Sequence, residues 1–518
     1  MSLDDLAAWR LRPGVAVTLL SDGIHLRGRR SNVTLEGSRA LPALWRMLEQ
    51  ALLSGQAPVD SKVRAALGTI VAQLHAHDLL VAADDDTGAR RLRAVASAEW
   101  RVLAPDPSSP LAQAAGRALA RGGATPSYVA SGTARAGQIV LTAQQVAVAA
   151  GWCGRAAFVT APGSPEQAGA DAAALDARLG PDSAAAPGTA LTALIAGAAA
   201  QRLLCAVAGS PDPADEGDDQ RLLPGRPAVL LATARPLQAE YHCWLGPDLL
   251  DPDRAAEVAP PGTLAEALRR VAALGDELVG VLAPALPAAL PQLPAALASC
   301  GPIVAGGARV DLARLDAMCR AAELRLGTTV GVDPLHAWGR ALRQAAMGRP
   351  PAAGATVPEE QWRAHPQARH WWSTLTGRLG VQAGLHVVRG SSGFHAAVRD
   401  PSGRLLGRAV EATAGDAAAF AALAATAAAQ SAGTGTTGRP SGASASIATA
   451  GAEFAGWEDD GWTMKWLAGV ASRELAFQAA LRRLTGLRPV PWRPADADAR
   501  AVAAGLHGCG FTLLGSTP

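Results

Sequence analysis

Val15-Ala16-Val17-Thr18-Leu19-Leu20 reads as a strand, and Ser21-Asp22-Gly23 supplies turn chemistry before Ile24-His25-Leu26-Arg27. This pattern predicts a hairpin. A third strand is expected at Asn32-Val33-Thr34-Leu35, where polar and apolar residues alternate, with Glu36-Gly37-Ser38 breaking it. The period then changes. Leu41, Leu44, Trp45, Leu48 and Leu52 recur at spacings of three and four, which places them on one helical face. Gly55-Gln56-Ala57-Pro58 ends that helix. A shorter helix is expected over 59–67, and Ile70, Val71, Leu74 and His75 carry a third toward Leu79-Leu80. Residues 1–85 are therefore predicted to form three strands followed by three helices. The acidic run Asp84-Asp85-Asp86 and the basic Arg90-Arg91-Leu92-Arg93 read as a solvated linker behind them.

Trp100-Arg101-Val102-Leu103-Ala104 predicts a strand, 111–121 a helix, Gly122-Gly123 its C-cap and Ser127-Tyr128-Val129 a second strand. That is the rhythm of a βαβ unit. Further apolar runs at 138–142, 156–160, 228–232, 278–283 and 303–305 alternate with helical stretches, so an α/β domain is expected over 95–335. Residues 336–518 form a third region of α+β character, dense in tryptophan (Trp338, Trp362, Trp371, Trp372, Trp457, Trp462, Trp466, Trp492). A hairpin is predicted around Asp400-Pro401-Ser402-Gly403 and a helix over 466–484. The Gly-, Ser- and Thr-rich stretch 431–446 reads as a linker.

The whole chain is predicted to be a multi-domain α/β protein. Its 518 residues, 49% apolar and 18% charged, can bury sizeable cores, and 47 bases nearly cancel 45 acids. Such a balance argues against a general nucleic-acid binder. The acidic start Met1-Ser2-Leu3-Asp4-Asp5 does not resemble a secretory signal, and the longest apolar run, 190–200, stops at Gln201-Arg202. A soluble cytoplasmic protein is expected, with no membrane partner. Cys153, Cys205, Cys243, Cys300, Cys319 and Cys509 form no CxxC pair, so they read as buried thiols and not as zinc ligands.

Catalytic signatures are sparse. The first βα turn reads Pro105-Asp106-Pro107-Ser108-Ser109-Pro110, whose prolines lack N–H groups and whose aspartate adds negative charge where a nucleotide phosphate would sit. The chain contains neither GxxxxGK[ST] nor GxSxG. In Tyr241-His242-Cys243-Trp244 the His and Cys point to opposite faces of a strand, which makes packing their expected role. His365, His370, His386 and His395 match no zinc spacing and are expected at the surface or an interface, and Glu458-Asp459-Asp460 reads as a solvated turn.

Arg12-Pro13-Gly14, the hairpin, the third strand and the helix ending in His75-Ala76-His77-Asp78-Leu79-Leu80 together resemble the PqqD-like winged helix. This is the recognition element of enzymes that modify ribosomally made peptides. Gly151-Trp152-Cys153-Gly154, Phe158-Val159-Thr160-Ala161-Pro162-Gly163 and Leu484-Thr485-Gly486-Leu487 follow it. With them the chain resembles the Ocin-ThiF-like partner proteins of azoline and thiopeptide cyclodehydratases, which join that element to a degenerate, Rossmann-type ThiF-like region. The four-cysteine zinc site of some relatives is absent, as is the glycine-rich nucleotide loop of adenylating ones. Both omissions suit a binding role.

The resemblance implies a non-catalytic subunit that binds the leader of a precursor peptide and presents its core to a separate YcaO cyclodehydratase. That partner uses ATP and magnesium to cyclise cysteine, serine or threonine. No catalytic, metal or cofactor residue is then expected on this chain, and a homodimer is compatible with the family. By the family's geometry the leader adds as a strand along Ser31, Asn32, Val33, Thr34 and Leu35 and settles its side chains against Val71, Leu74 and His75. Val33 and Leu35 share one strand face, which is either groove or core. Four or five backbone bonds at ~1 kcal/mol each and two apolar anchors at ~1.5–3 kcal/mol each offset ~2–5 kcal/mol of peptide ordering. Micromolar or tighter binding follows. A Val33→Pro change is expected to remove a donor from the edge. Two other classes compete: a self-contained cyclodehydratase or adenylating enzyme, which ATP turnover would reveal, and a winged-helix DNA regulator, which salt-dependent DNA binding would reveal.

Overall fold

The computed structural model describes residues 9–12, 15–28, 31–54, 60–82, 86–132, 134–153, 156–180, 188–215, 219, 222–247, 258–349, 354–432 and 462–517. By internal contacts the chain divides into two compact units. One comprises Met1–Val148 with Ala196–Asp218, the other Ala149–Ile195 with Asp219–Pro518.

The first unit opens with strands β1 (Trp9–Leu11), β2 (Ala16–Leu19), β3 (Gly23–Arg27) and β4 (Asn32–Glu36). Helices α1 (Leu41–Ser54) and α2 (Ser61–Ala76) and strand β5 (Leu80–Ala82) follow. The predicted hairpin and third strand are present as an antiparallel sheet in the order β2-β3-β4. Two helices replace the expected three, because α2 runs through Gly68 without a break; its start is fixed by Asp60, whose carboxylate accepts from the amides of Lys62 at 2.8 Å and Val63 at 3.2 Å. Asp78, at φ 53°, then reverses the chain into β5. The N-terminal strand β1 pairs antiparallel with β5. Ile24, Leu26, Val33, Trp45, Leu48, Leu67, Ile70, Val71, Leu74 and Leu79 close a core drawn wholly from residues 9–80.

The supposed linker is a helix, Asp86–Ser97, from Asp86 onward; Asp84 and Asp85 lie outside the described residues. Next, the strand Trp100–Ala104 pairs in parallel with Pro126–Ala130 across the helix Pro110–Arg121, as predicted, and antiparallel with Gln138–Ala143. Gly122 caps that helix and Gly123, at φ 90°, lets the chain leave it.

The Rossmann-like alternation goes no further: the other described strand pairs within each unit are antiparallel. The reason is connection length. Val146–Cys153 returns through two residues to Ala156–Val159, and Ala228–Ala234 through Arg235-Pro236 to Leu237–Cys243, whereas a parallel crossover needs about a dozen or more residues. The run 278–283 forms turns instead of a strand, because Asp276 ties down the amides of Leu278 and Val279.

The C-terminal α+β region is as expected. Gly384–Arg389, Phe394–Arg399 and Leu405–Glu411 form an antiparallel sheet with a turn at Asp400–Gly403, and the buried, alanine-rich helix Ala414–Ala432 lies on it. The helix backbone comes close enough at Gly407 to leave no room for a side chain there. The predicted helix at 466–484 spans Trp462–Thr485. Most of the Gly/Ser/Thr-rich stretch and Glu458-Asp459-Asp460 lie outside the described residues. One helix, Thr189–Val207, is long and apolar enough to cross a membrane by composition, contrary to expectation; its Arg202, 1% exposed, is paired with Asp212 at 2.8 Å.

Candidate functional site

The outer edge of β4 has no partner strand among the described residues, since β4 pairs with β3 alone. Gly28 donates its amide to Ser31 O at 2.9 Å and Gly37 donates to Asp22 O at 3.2 Å. Between these ends hydrogen-bonded pairs alternate with non-bonded ones, as in any antiparallel ladder. Leu26–Val33 and Ile24–Leu35 are the bonded pairs; Arg27–Asn32, His25–Thr34 and Gly23–Glu36 are not. The cross-strand hydrogen bond between His25 Nδ1 and Thr34 Oγ1, 2.8 Å, fits the closer side-chain spacing of a non-bonded pair. Asn32, Thr34 and Glu36 therefore turn their N–H and C=O groups outward. Their side chains lie on the exposed face, while Val33 and Leu35 face the core.

That assignment corrects one expectation. Val33 N–H is bonded inward to β3, so Val33→Pro damages the hairpin itself, and the exposed donor sits at Thr34. It also answers the question of groove or core for the apolar residues. Val33 (8% exposed), Val71 (3%) and Leu74 (0%) belong to the core of the unit, and Leu35 packs against it. They build the platform beneath the edge. Of the three helix residues singled out by the sequence only His75 is exposed, and its ring meets Trp9 edge to face at 5.2 Å.

Four hydrogen bonds invisible to periodicity hold this platform. Ser31 Oγ donates to His77 O at the end of α2, tying the start of β4 to the helix. Arg12 donates to Asp78 O and pairs with its carboxylate at 2.5 Å. Arg12 N–H also bonds Leu79 O at 2.9 Å, so β1 clasps the helix end. Trp9 was missed because three residues carry no period; an isolated tryptophan just before Arg12-Pro13-Gly14 was the available signal.

Elsewhere several residues with chemical potential are engaged structurally. In the βα turn Asp106 accepts from Ser108 Oγ at 2.6 Å and Ser108 N at 2.8 Å, bonds that hold its carboxyl below the usual range, and Ser109 caps the helix. Negative charge thus occupies the turn that would cradle a phosphate. Burial pushes the thiols of Cys243 and Cys300 up to about 11 and those of Cys319 and Cys509 up to about 12, leaving them protonated and unreactive. His365 caps Pro366–Ser373 with its Nε2 3.6 Å from Asp416, His370 lies edge-on to Trp371, and burial lowers the pKa of both and of His395. Among the described residues no three His, Cys, Asp or Glu side chains are grouped to hold a metal.

No family model matches the sequence, and no curated protein matches it. Among solved structures the chain is similar to a heterocyclase in complex with substrate and cofactor, with a TM-score of 0.46, 11% identity, and coverage of 98% of this chain and 94% of that one. It is also similar to the heterocyclase TruD, with a TM-score of 0.28, 13% identity, and coverage of 76% of this chain and 61% of that one. Both likenesses are remote, and no residue role passes from either to this chain.

Proposed function

We propose that this protein binds the leader segment of a ribosomally made precursor peptide by strand addition to β4 and presents the rest of that peptide to a separate YcaO cyclodehydratase. The observation that carries this reading is the edge Asn32–Glu36, unpaired among the described residues, with three outward N–H and three outward C=O groups on a platform that has its own core. The edge of β2, also without a partner strand among the described residues, suits the role less well, because Ala16, Thr18 and Leu19 are exposed and Val17 is only half-buried. ATP and magnesium belong, in this reading, to the partner enzyme, which supplies the cyclisation.

A fluorescence-polarisation titration with leader peptides from neighbouring small open reading frames tests the proposal. Thr34→Pro removes an outward donor that the β3 ladder does not use, and is expected to weaken binding by about fivefold to tenfold, the equivalent of one lost hydrogen bond of ~1 kcal/mol. Thr34→Ala, which loses only the contact to His25, is expected to bind nearly as the parent does. Equal affinity for the parent and Thr34→Pro would remove the edge from the binding site.

A further inference from the structure

Within the second unit a cavity of about 290 Å3 collects charged groups from three elements. His242 comes from strand Leu237–Cys243, Asp276 from the turn after helix Leu264–Leu274, and Arg314 from helix Val310–Leu326. Glu277 is exposed on the cavity wall. Strand alternation predicts a packing role for His242, but the fold gives it a carboxylate partner 34 residues away.

Asp276 is held from two sides. Its Oδ1 accepts from the amides of Leu278 at 2.8 Å and Val279 at 3.0 Å, and its Oδ2 accepts from His242 Nδ1 at 2.6 Å. Burial raises its pKa, but the hydrogen bond and charge of His242 and the two amides outweigh that and keep the carboxyl below its ordinary range. An ionised carboxylate can only accept, so Nδ1 carries a proton. Nε2 has no hydrogen-bond partner among the described residues. On neutral His242 it presents a lone pair, and on the imidazolium a second N–H.

Arg314 donates through Nε to Ala285 O at 2.8 Å, and its Nη groups make no hydrogen bond among the described residues. Burial draws its pKa down, with only Asp311 acting the other way, and Asp311 is already paired with Arg309 at 3.0 Å. A half-buried guanidinium without a carboxylate partner is costly unless an anion reaches it.

We propose that this cavity is a subsite for a small oxyanion, a carboxylate or phosphate group, held by the Nη groups of Arg314 and by Nε2–H of protonated His242. Asp276 is the positioning residue that fixes the imidazole. Protonated His242 and Asp276 neutralise each other, so Arg314 leaves one positive charge for a monoanion, and Glu277 opposes a second negative charge. A larger cavity of about 660 Å3 shares the Asp276-Glu277 turn and Pro284, which gives the remainder of a longer ligand room.

The test uses the full chain labelled with 15N-histidine and titrated at pH 6 with sodium phosphate and, separately, sodium acetate, against a sodium chloride control. His242→Gln assigns the His242 signal by its disappearance. Saturable movement of that signal is expected with at least one anion: phosphate alone identifies a phosphate ligand, acetate alone a carboxylate. Arg314→Gln is expected to weaken binding at least tenfold with an unchanged thermal unfolding curve, and Arg314→Lys to restore part of it. The proposal is overturned if neither anion moves the signal below about 50 mM, or if Arg314→Gln binds like the parent.

Discussion

Deleting residues 1–82 is expected to lower leader-peptide affinity by at least about a hundredfold, beyond ~3 kcal/mol of binding free energy. Every group assigned to the interaction lies in this segment. Asn32, Thr34 and Glu36 supply the backbone bonds, and the core beneath them is drawn from residues 9–80. The rest of the chain keeps separate cores, one of them built from residues 245–511, so circular dichroism and cooperative unfolding are expected to survive the deletion. Retained affinity in a folded deletion variant would place the peptide site elsewhere on the chain.

Arg343→Leu is expected to be among the most damaging single substitutions for stability. Arg343 donates to both oxygens of Glu411 at 2.9 Å and to Glu474 at 2.8 and 2.7 Å, with all three side chains at most 3% exposed. They tie the helix Pro334–Met347 to the strand Leu405–Glu411 and the helix Trp462–Thr485. Loss of the guanidinium strands two buried carboxylates, at a cost of about 3–5 kcal/mol by analogy with broken buried pairs. Replacing all three residues with apolar ones is expected to recover most of that.

The same cluster makes stability depend on pH. One arginine serves two carboxylates, and burial outweighs its pull on Glu411, whose pKa rises from an ordinary 4.5 to about 7. A carboxyl raised on folding contributes its stability fully below about 4.5, and that contribution is lost as pH rises through about 7. Urea unfolding of Arg343→Leu at pH 5 and pH 8 is therefore expected to give the larger deficit at pH 8. An equal or smaller deficit there would contradict this reading of the cluster.

Much of the N-terminal unit was legible because strand alternation and helical spacing are local. Val33 and Leu35 had to share a face, and the Leu41–Leu52 spacing required a helix. What periodicity could not supply was tertiary. It could not say whether Val71 and Leu74 line a groove or a core, that Gly68 would sit inside one continuous helix, or that Trp9–Leu11 would return to pair with β5. Nor could alternation tell which half of β4 points its amides outward, since that depends on how β3 pairs with it. The βαβ pattern covers one unit and goes no further, because the two-residue connections at 154–155 and Arg235-Pro236 force antiparallel returns. His242 found Asp276 only through the fold.

Strand addition along the outer edge of β4 is read out by residue-resolved amide exchange in NMR. With saturating leader peptide, the amides of Asn32, Thr34 and Glu36 are expected to slow by at least about tenfold, while Val33 and Leu35, already bonded to β3, change little. If those three amides exchange equally fast with and without bound peptide, the strand-addition account is contradicted.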